Sequence, residues 1–79
     1  MSPTVLRVGG FRFYFFSREE SRPHVHVQHS TGEAKFWIEP TVEVANNWGL
    51  PRQRLNAALR HAREHADEIR HAWKTHFGG

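Results

Sequence analysis

The stretch Pro23-His24-Val25-His26-Val27 constrains the fold of this chain more than any other, because histidine and β-branched valine alternate in it residue by residue. Successive side chains of a strand point to opposite faces, so Val25 and Val27 turn into a core while His24 and His26 stand together outside it. Imidazole has the unperturbed pKa nearest physiological pH, so such a pair has the chemistry to move protons, bind a metal or contact phosphate.

The alternation continues on both sides. Thr4 to Val8 is a short β-branched run ending at Gly9-Gly10, a pair that supplies the positive φ angles of a tight hairpin turn. Phe11 to Ser17 is aromatic on both faces, with Phe11, Phe13 and Phe15 on one and Arg12, Tyr14 and Phe16 on the other. Such a strand belongs at the centre of a sheet, covered on one side by a helix and on the other by a partner, substrate or second copy. Residues 17–23 read as a polar loop into a strand from His24 to His29, and Ser30-Thr31-Gly32 then turns the chain. From Glu33 to Ile38, Ala34, Phe36 and Ile38 share one face and Glu33, Lys35 and Trp37 the other. An antiparallel meander therefore gathers His24, His26, Lys35 and Trp37 on the face opposite the core.

Thr41 to Trp48 reads as a short helix, with Thr41 as its cap, Glu43 near its positive end and Gly49 at a left-handed stop. Pro51 then opens a long helix to about Phe77, along which Leu55, Leu59, Ala62, Ala66, Ile69, Trp73 and Phe77 recur at spacings of three and four. Gly78-Gly79 is expected to fray. The fold class expected is α+β: a three- or four-stranded antiparallel meander packed on one long C-terminal helix, with a short helix between.

Seventy-nine residues fit a single domain over 1–79, near the lower size at which one core suffices. With no cysteine, neither a disulfide nor a thiolate zinc site adds stability, so burial or self-association must supply it. A reducing cytoplasm fits this composition. The absence of a basic-then-apolar leader and of any membrane-length apolar run leads us to expect a soluble, unexported, cytoplasmic protein.

The formal net charge is +3, and arginine supplies nine of the eleven cations. Arginine's planar fork suits phosphate and carboxylate, which favours an anionic partner such as RNA, DNA or an acidic protein, although a small surplus of charge also serves solubility. On the long helix, Arg52, Arg63, Arg70 and Lys74 flank one side of the apolar stripe, and His61, His65 and His76, with Ala58 and Ala72, flank the other. The basic flank reads either as an edge that tracks a nucleic acid backbone or as a solvated face with ordinary Arg60–Glu64 and Arg63–Asp67 pairs.

Three chemistries compete for the histidines. His61-Ala62-Arg63-Glu64-His65 matches the H-x-x-E-H string of inverted zincins, but only 14 residues follow to supply a third ligand, and Glu64 points away from the stripe. No peptidase is expected. His24 and His26 with Glu19, Glu20 or Glu33 offer imidazole and carboxylate to a metal, but two ligands without a placed third make no closed site, so no metal or other cofactor is expected. Metal-free RNA cleavage is the third: one imidazole takes the 2′-hydroxyl proton, the other protonates the leaving oxygen, and Lys35 or Arg12 stabilises the phosphorane. Tyr14 and Trp37 would stack an unpaired base. Against cleavage, His24 and His26 simply decorate a sheet face or bury against another protein.

Pro3-Thr4-Val5-Leu6-Arg7, Phe11-Arg12-Phe13-Tyr14-Phe15, Pro23-His24-Val25-His26-Val27, Ala34-Lys35-Phe36-Trp37 and Ala72-Trp73 to Phe77 resemble, in order and spacing, a small bacterial family catalogued as domain of unknown function 4160. The resemblance implies a short cytoplasmic protein encoded beside a small partner protein and associated with toxin–antitoxin systems. It points to Arg12, Tyr14, His24, His26, Lys35 and Trp37 as the residues of interest. The expected function is a toxin-like or regulatory protein that binds RNA through the histidine-bearing face, with metal-free cleavage of that RNA left open. Its catalytic residues would be His24, His26, Lys35 and Arg12, and its RNA contacts Tyr14, Trp37, Arg52, Arg63, Arg70 and Lys74. The alternatives are a non-catalytic interaction module, paired with a partner protein or as a homo-oligomer, and a histidine-based metal binder. No membrane partner is expected.

Overall fold

The computed structural model describes residues 3–16 and 21–78. Ser17, expected to end the second strand, residues 17–20, expected as a loop with Glu19 and Glu20, and Gly79, expected to fray, lie outside the described residues. The chain runs β1 (Thr4–Val8), β2 (Phe11–Tyr14), β3 (His24–His29), β4 (Gly32–Trp37), β5 (Glu43–Trp48), α1 (Arg52–Glu64) and α2 (Ala66–Phe77). The architecture is α+β, and the sheet is an antiparallel meander in the order β1-β2-β3-β4-β5. Gly9 and Gly10, at φ 57° and 81°, make the β1–β2 turn that their sequence required.

The sheet has five strands rather than three or four, because residues 43–48 form a strand and not a short helix. The hydroxyl of Thr41 donates to Glu43 (3.1 Å) instead of capping a helix, and Val42 drops into the core. Pairing with β4 satisfies the backbone groups that β4 would otherwise leave bare along its outer edge. Ala45 is the extra residue of a bulge, since Lys35 pairs with Asn46 while Phe36 pairs with Val44. Asn47 closes the strand with two bonds to Leu50: its Nδ2 donates to the carbonyl (2.9 Å) and its Oδ1 accepts from the amide (3.0 Å).

The single long helix is divided in two at His65, whose φ of −111° and ψ of 21° leave the helical region. A continuous helix over residues 52–77 would measure about 39 Å at 1.5 Å per residue. The longest dimension of the molecule is 33 Å, so the break keeps both halves over the sheet.

One face of the sheet presents Phe11, Phe13, Phe15, Val25, Val27, Ala34, Phe36 and Ile38 to Ala58, Ala62, Ile69 and Trp73 of the helices. Leu55, Leu59, Ala66 and Phe77 pack at the margin of this core, and Ala58, expected on the histidine flank, lies inside it. Fully burying a side chain such as Phe36 or Ile69 contributes about 1.5–3 kcal/mol. Among the described residues no helix is long and apolar enough to cross a membrane.

Candidate functional site

The register fixes which side chains meet on the sheet face turned from the helices. Across the middle, Tyr14 lies opposite His26, His26 opposite Lys35, and Lys35 opposite Asn46. On either side, Arg12 faces Gln28 and Gln28 faces Glu33, while His24 faces Trp37. His24, His26, Lys35 and Trp37 therefore share one face, as the alternation predicted. They are not exposed on it, however: His24, His26 and Lys35 retain 1%, 7% and 6% of their surface. Aromatic rings cover them.

His26 is the best placed of these residues for a ligand. Its ring stacks on Tyr14 (centroids 5.4 Å, 28° between planes), lies nearly parallel to Trp48 (6.4 Å, 10°), and meets Phe16 edge-on at 6.0 Å. An opening of about 560 Å³ is lined by Arg12, Tyr14, Phe16, His26, Gln28, Glu33 and Trp48. Phe16 and Trp48 stand at 64% and 50% exposure. The Arg12 guanidinium lies over the Tyr14 ring (4.4 Å), with Nε donating to Thr4 Oγ1 (2.8 Å) and Nη1 to Gln28 Oε1 (3.4 Å). The Tyr14 hydroxyl donates to Glu33 Oε2 at 2.6 Å. Burial, first, and then this hydrogen bond and the carboxylate's charge push the Tyr14 phenol well above its ordinary value, against a smaller opposing pull from Arg12.

His24 sits at the end of the sheet, where α2 reaches round it. Its ring is 5.7 Å from His26 and 6.2 Å from Trp37, but also 5.0 Å from Trp73 of α2. Its Nδ1 is 2.8 Å from the Arg22 carbonyl, which can only accept, so Nδ1 carries the proton. Two cations lie over Trp37, with Arg22 4.3 Å and Lys35 4.9 Å from its ring centroid.

Trp48, placed on a helix by its sequence surroundings, is the main contributor to the opening that the pattern missed; neither the phenol-accepting role of Glu33 nor the place of Arg22 over Trp37 has a sequence signal. Gly32 explains how Trp48 arrives. A Cβ there would lie 2.6 Å from the Gly49 carbonyl carbon and 2.7 Å from the Trp48 oxygen, so only glycine admits the crossing of residues 48–49 over the start of β4.

The helix cations do not join this site. Arg63 donates to the Val42 carbonyl (3.3 and 3.2 Å), and Arg70 donates to the carbonyls of Ile38 (2.8 Å) and Pro40 (3.5 Å). Both tie the β4–β5 connection to the helices. Asp67 pairs with Arg70 (3.4 Å) rather than with Arg63. Arg52 and Lys74 are exposed on the helix layer. The H-x-x-E-H string is split by the end of α1, with His61 packed against Phe11 (5.8 Å) and Glu64 turned to solvent. Among the described residues no three His, Cys, Asp or Glu side chains are grouped to hold a metal ion.

No curated protein and no solved structure matches this chain. Residues 10–74, which run from β2 into α2 and include every side chain of the opening, match the family described as a domain of unknown function (DUF4160), and the chain belongs to that family.

Proposed function

We propose that this is a small toxin-like or regulatory protein of a bacterial toxin–antitoxin-type pair, working in the cytoplasm, and that it binds single-stranded RNA with one unpaired base in the opening over His26. The observation that carries the reading is the set of near-parallel rings, Tyr14, His26 and Trp48, beside a base-sized opening with Arg12 at its rim. Every base has a π-face, so stacking on the exposed Trp48 ring, backed by the buried His26 and Tyr14, contributes about 1–3 kcal/mol per base with little sequence preference, and Arg12, which already lies over the Tyr14 ring, adds a phosphate contact. Gln28 and Glu33 offer hydrogen-bonding groups to the base edge.

The geometry favours binding over cleavage. Two-imidazole catalysis needs both rings within reach of the 2′-hydroxyl and the leaving oxygen. Only His26 lines the opening, while His24 is buried with Nδ1 committed to the Arg22 carbonyl. A second reading, a non-catalytic module for a small neighbouring-gene product, is favoured by the exposed Phe16 and Trp48.

Titrating a labelled single-stranded hexaribonucleotide at low salt tests the proposal. The native protein should saturate, and Trp48→Ala and His26→Ala should each weaken binding by roughly tenfold, the equivalent of about 1.4 kcal/mol. Unchanged affinity in both variants, or no saturable binding, would overturn it. A partner protein whose binding is lost in Trp48→Ala, with no RNA bound, would establish the module instead.

A further inference from the structure

We propose that the opening over His26 is the first part of a track that takes the RNA backbone across the β1–β2 hairpin to Arg54 of α1, so that the ligand is a strand of about three nucleotides or more. The inference rests on the RNA-binding reading above and adds the path and the length of the ligand.

Two further openings carry the argument. One, of about 280 Å³, is lined by Arg7, Gly10, Arg12, Gln28, His29 and Ser30. The other, of about 330 Å³, includes Gly9, Phe11, His29, Gln53 and Arg54. The first shares Arg12 and Gln28 with the base opening and His29 with the second, so the three adjoin in series. No carboxylate lines either added opening, whereas Arg7, Arg12 and Arg54 succeed one another along them. That is the charge pattern of a phosphate path.

Arg54 is held in place for this role. Its Nη1 lies 2.7 Å from His29 Nδ1, to which it donates, and 3.3 Å from Nε2. His29 in turn packs on Phe11, ring centroids 4.9 Å apart. The hairpin glycines clear the way: a Cβ at Gly10 would come within 3.0 Å of His29 Nε2. From His26 to His29 the strand advances about 10 Å. Stacked nucleotides rise about 3.4 Å each, so this stretch alone takes about three of them before the path turns over the sheet end to His29 and Arg54 on the helix side.

The test measures binding of oligouridylates of two and six nucleotides against salt for the native protein, Arg7→Gln, Arg54→Gln, the double variant and Arg60→Gln. Arg60 is exposed on α1 and lines none of the three openings. The path predicts that the hexamer binds more tightly than the dimer. It also predicts that the slope of log K against log salt falls by about 0.7 for each single variant and about 1.4 for the double, with Arg60→Gln unchanged. Arg7→Gln alone serves if replacement of Arg54 disturbs the fold, as circular dichroism will show. A hexamer that binds with the same slope in all variants, or no more tightly than the dimer, would overturn the path while leaving the base opening intact. A hexamer that does not bind the native protein at all would overturn both.

Discussion

Replacing Glu33 with glutamine should pull the ionisation of Tyr14 down toward the ordinary phenol value of about 10 without restoring it fully. In the native protein the phenol is buried and donates a 2.6 Å bond to a carboxylate, and both circumstances favour the protonated form. A hydrogen bond to a charged group contributes about 1.5–3 kcal/mol and a neutral one about 0.5–1.5, so the exchange forfeits about 1–2 kcal/mol. At 1.36 kcal/mol per pK unit this is a fall of about one unit, and the part due to burial remains. The sequence contains one tyrosine, so tyrosinate absorbance reports this group alone. The linkage has a definite sign. Tyr14 holds its proton more tightly folded than unfolded, so the stability it contributes is complete below the unfolded value of about 10 and is lost as pH rises above it. Tyr14→Phe should abolish that alkaline loss. A native titration with its midpoint near pH 10 while circular dichroism still reports a folded protein, or a Glu33→Gln curve superimposable on the native one, would refute the reasoning.

Gly32→Ala should destabilise the protein by about 2–4 kcal/mol and red-shift tryptophan emission, because the new methyl must push back the backbone at residues 48–49; an unchanged melting temperature and spectrum would contradict the role given to that crossing. Arg70→Gln should cost about 1–2 kcal/mol in urea denaturation and leave RNA affinity unchanged, since its guanidinium donates to the Ile38 and Pro40 carbonyls; lost affinity at unchanged stability would make it a phosphate contact after all. Ile69→Ala, made at a fully buried site beneath the sheet, should cost about 2–5 kcal/mol in the same measurement.

The sequence made the sheet legible where side chains alternate between its two faces. His24 to Val27, Glu33 to Ile38 and the phenylalanines of β2 each announced their side through a period of two, and the register bears this out. β5 was hidden because Thr41 and Gly49 imitate helix caps and because the Ala45 bulge breaks the alternation that would have betrayed a strand. Its formation is a tertiary effect, the demand of β4 for a hydrogen-bonding neighbour. The helix break was hidden for the opposite reason: residues 62–69 keep a stripe spacing compatible with one helix, and neither glycine nor proline marks His65. Alternation reveals which side a residue takes but not what covers it. The near-complete burial of His24 and the stacking of Trp48 over His26 therefore became visible only once β5 and α2 were in place.

The proposed placement of a base over His26 is tested by proton chemical shifts of the native protein as a single-stranded hexaribonucleotide is added at low salt. The binding account predicts that the ring protons of His26 and Tyr14 and the indole N–H of Trp48 shift most and saturate together, while Lys74 and Ile69 on the helix layer hold still. Saturation with the largest shifts along α1 and α2 and none at His26 or Trp48 would contradict it.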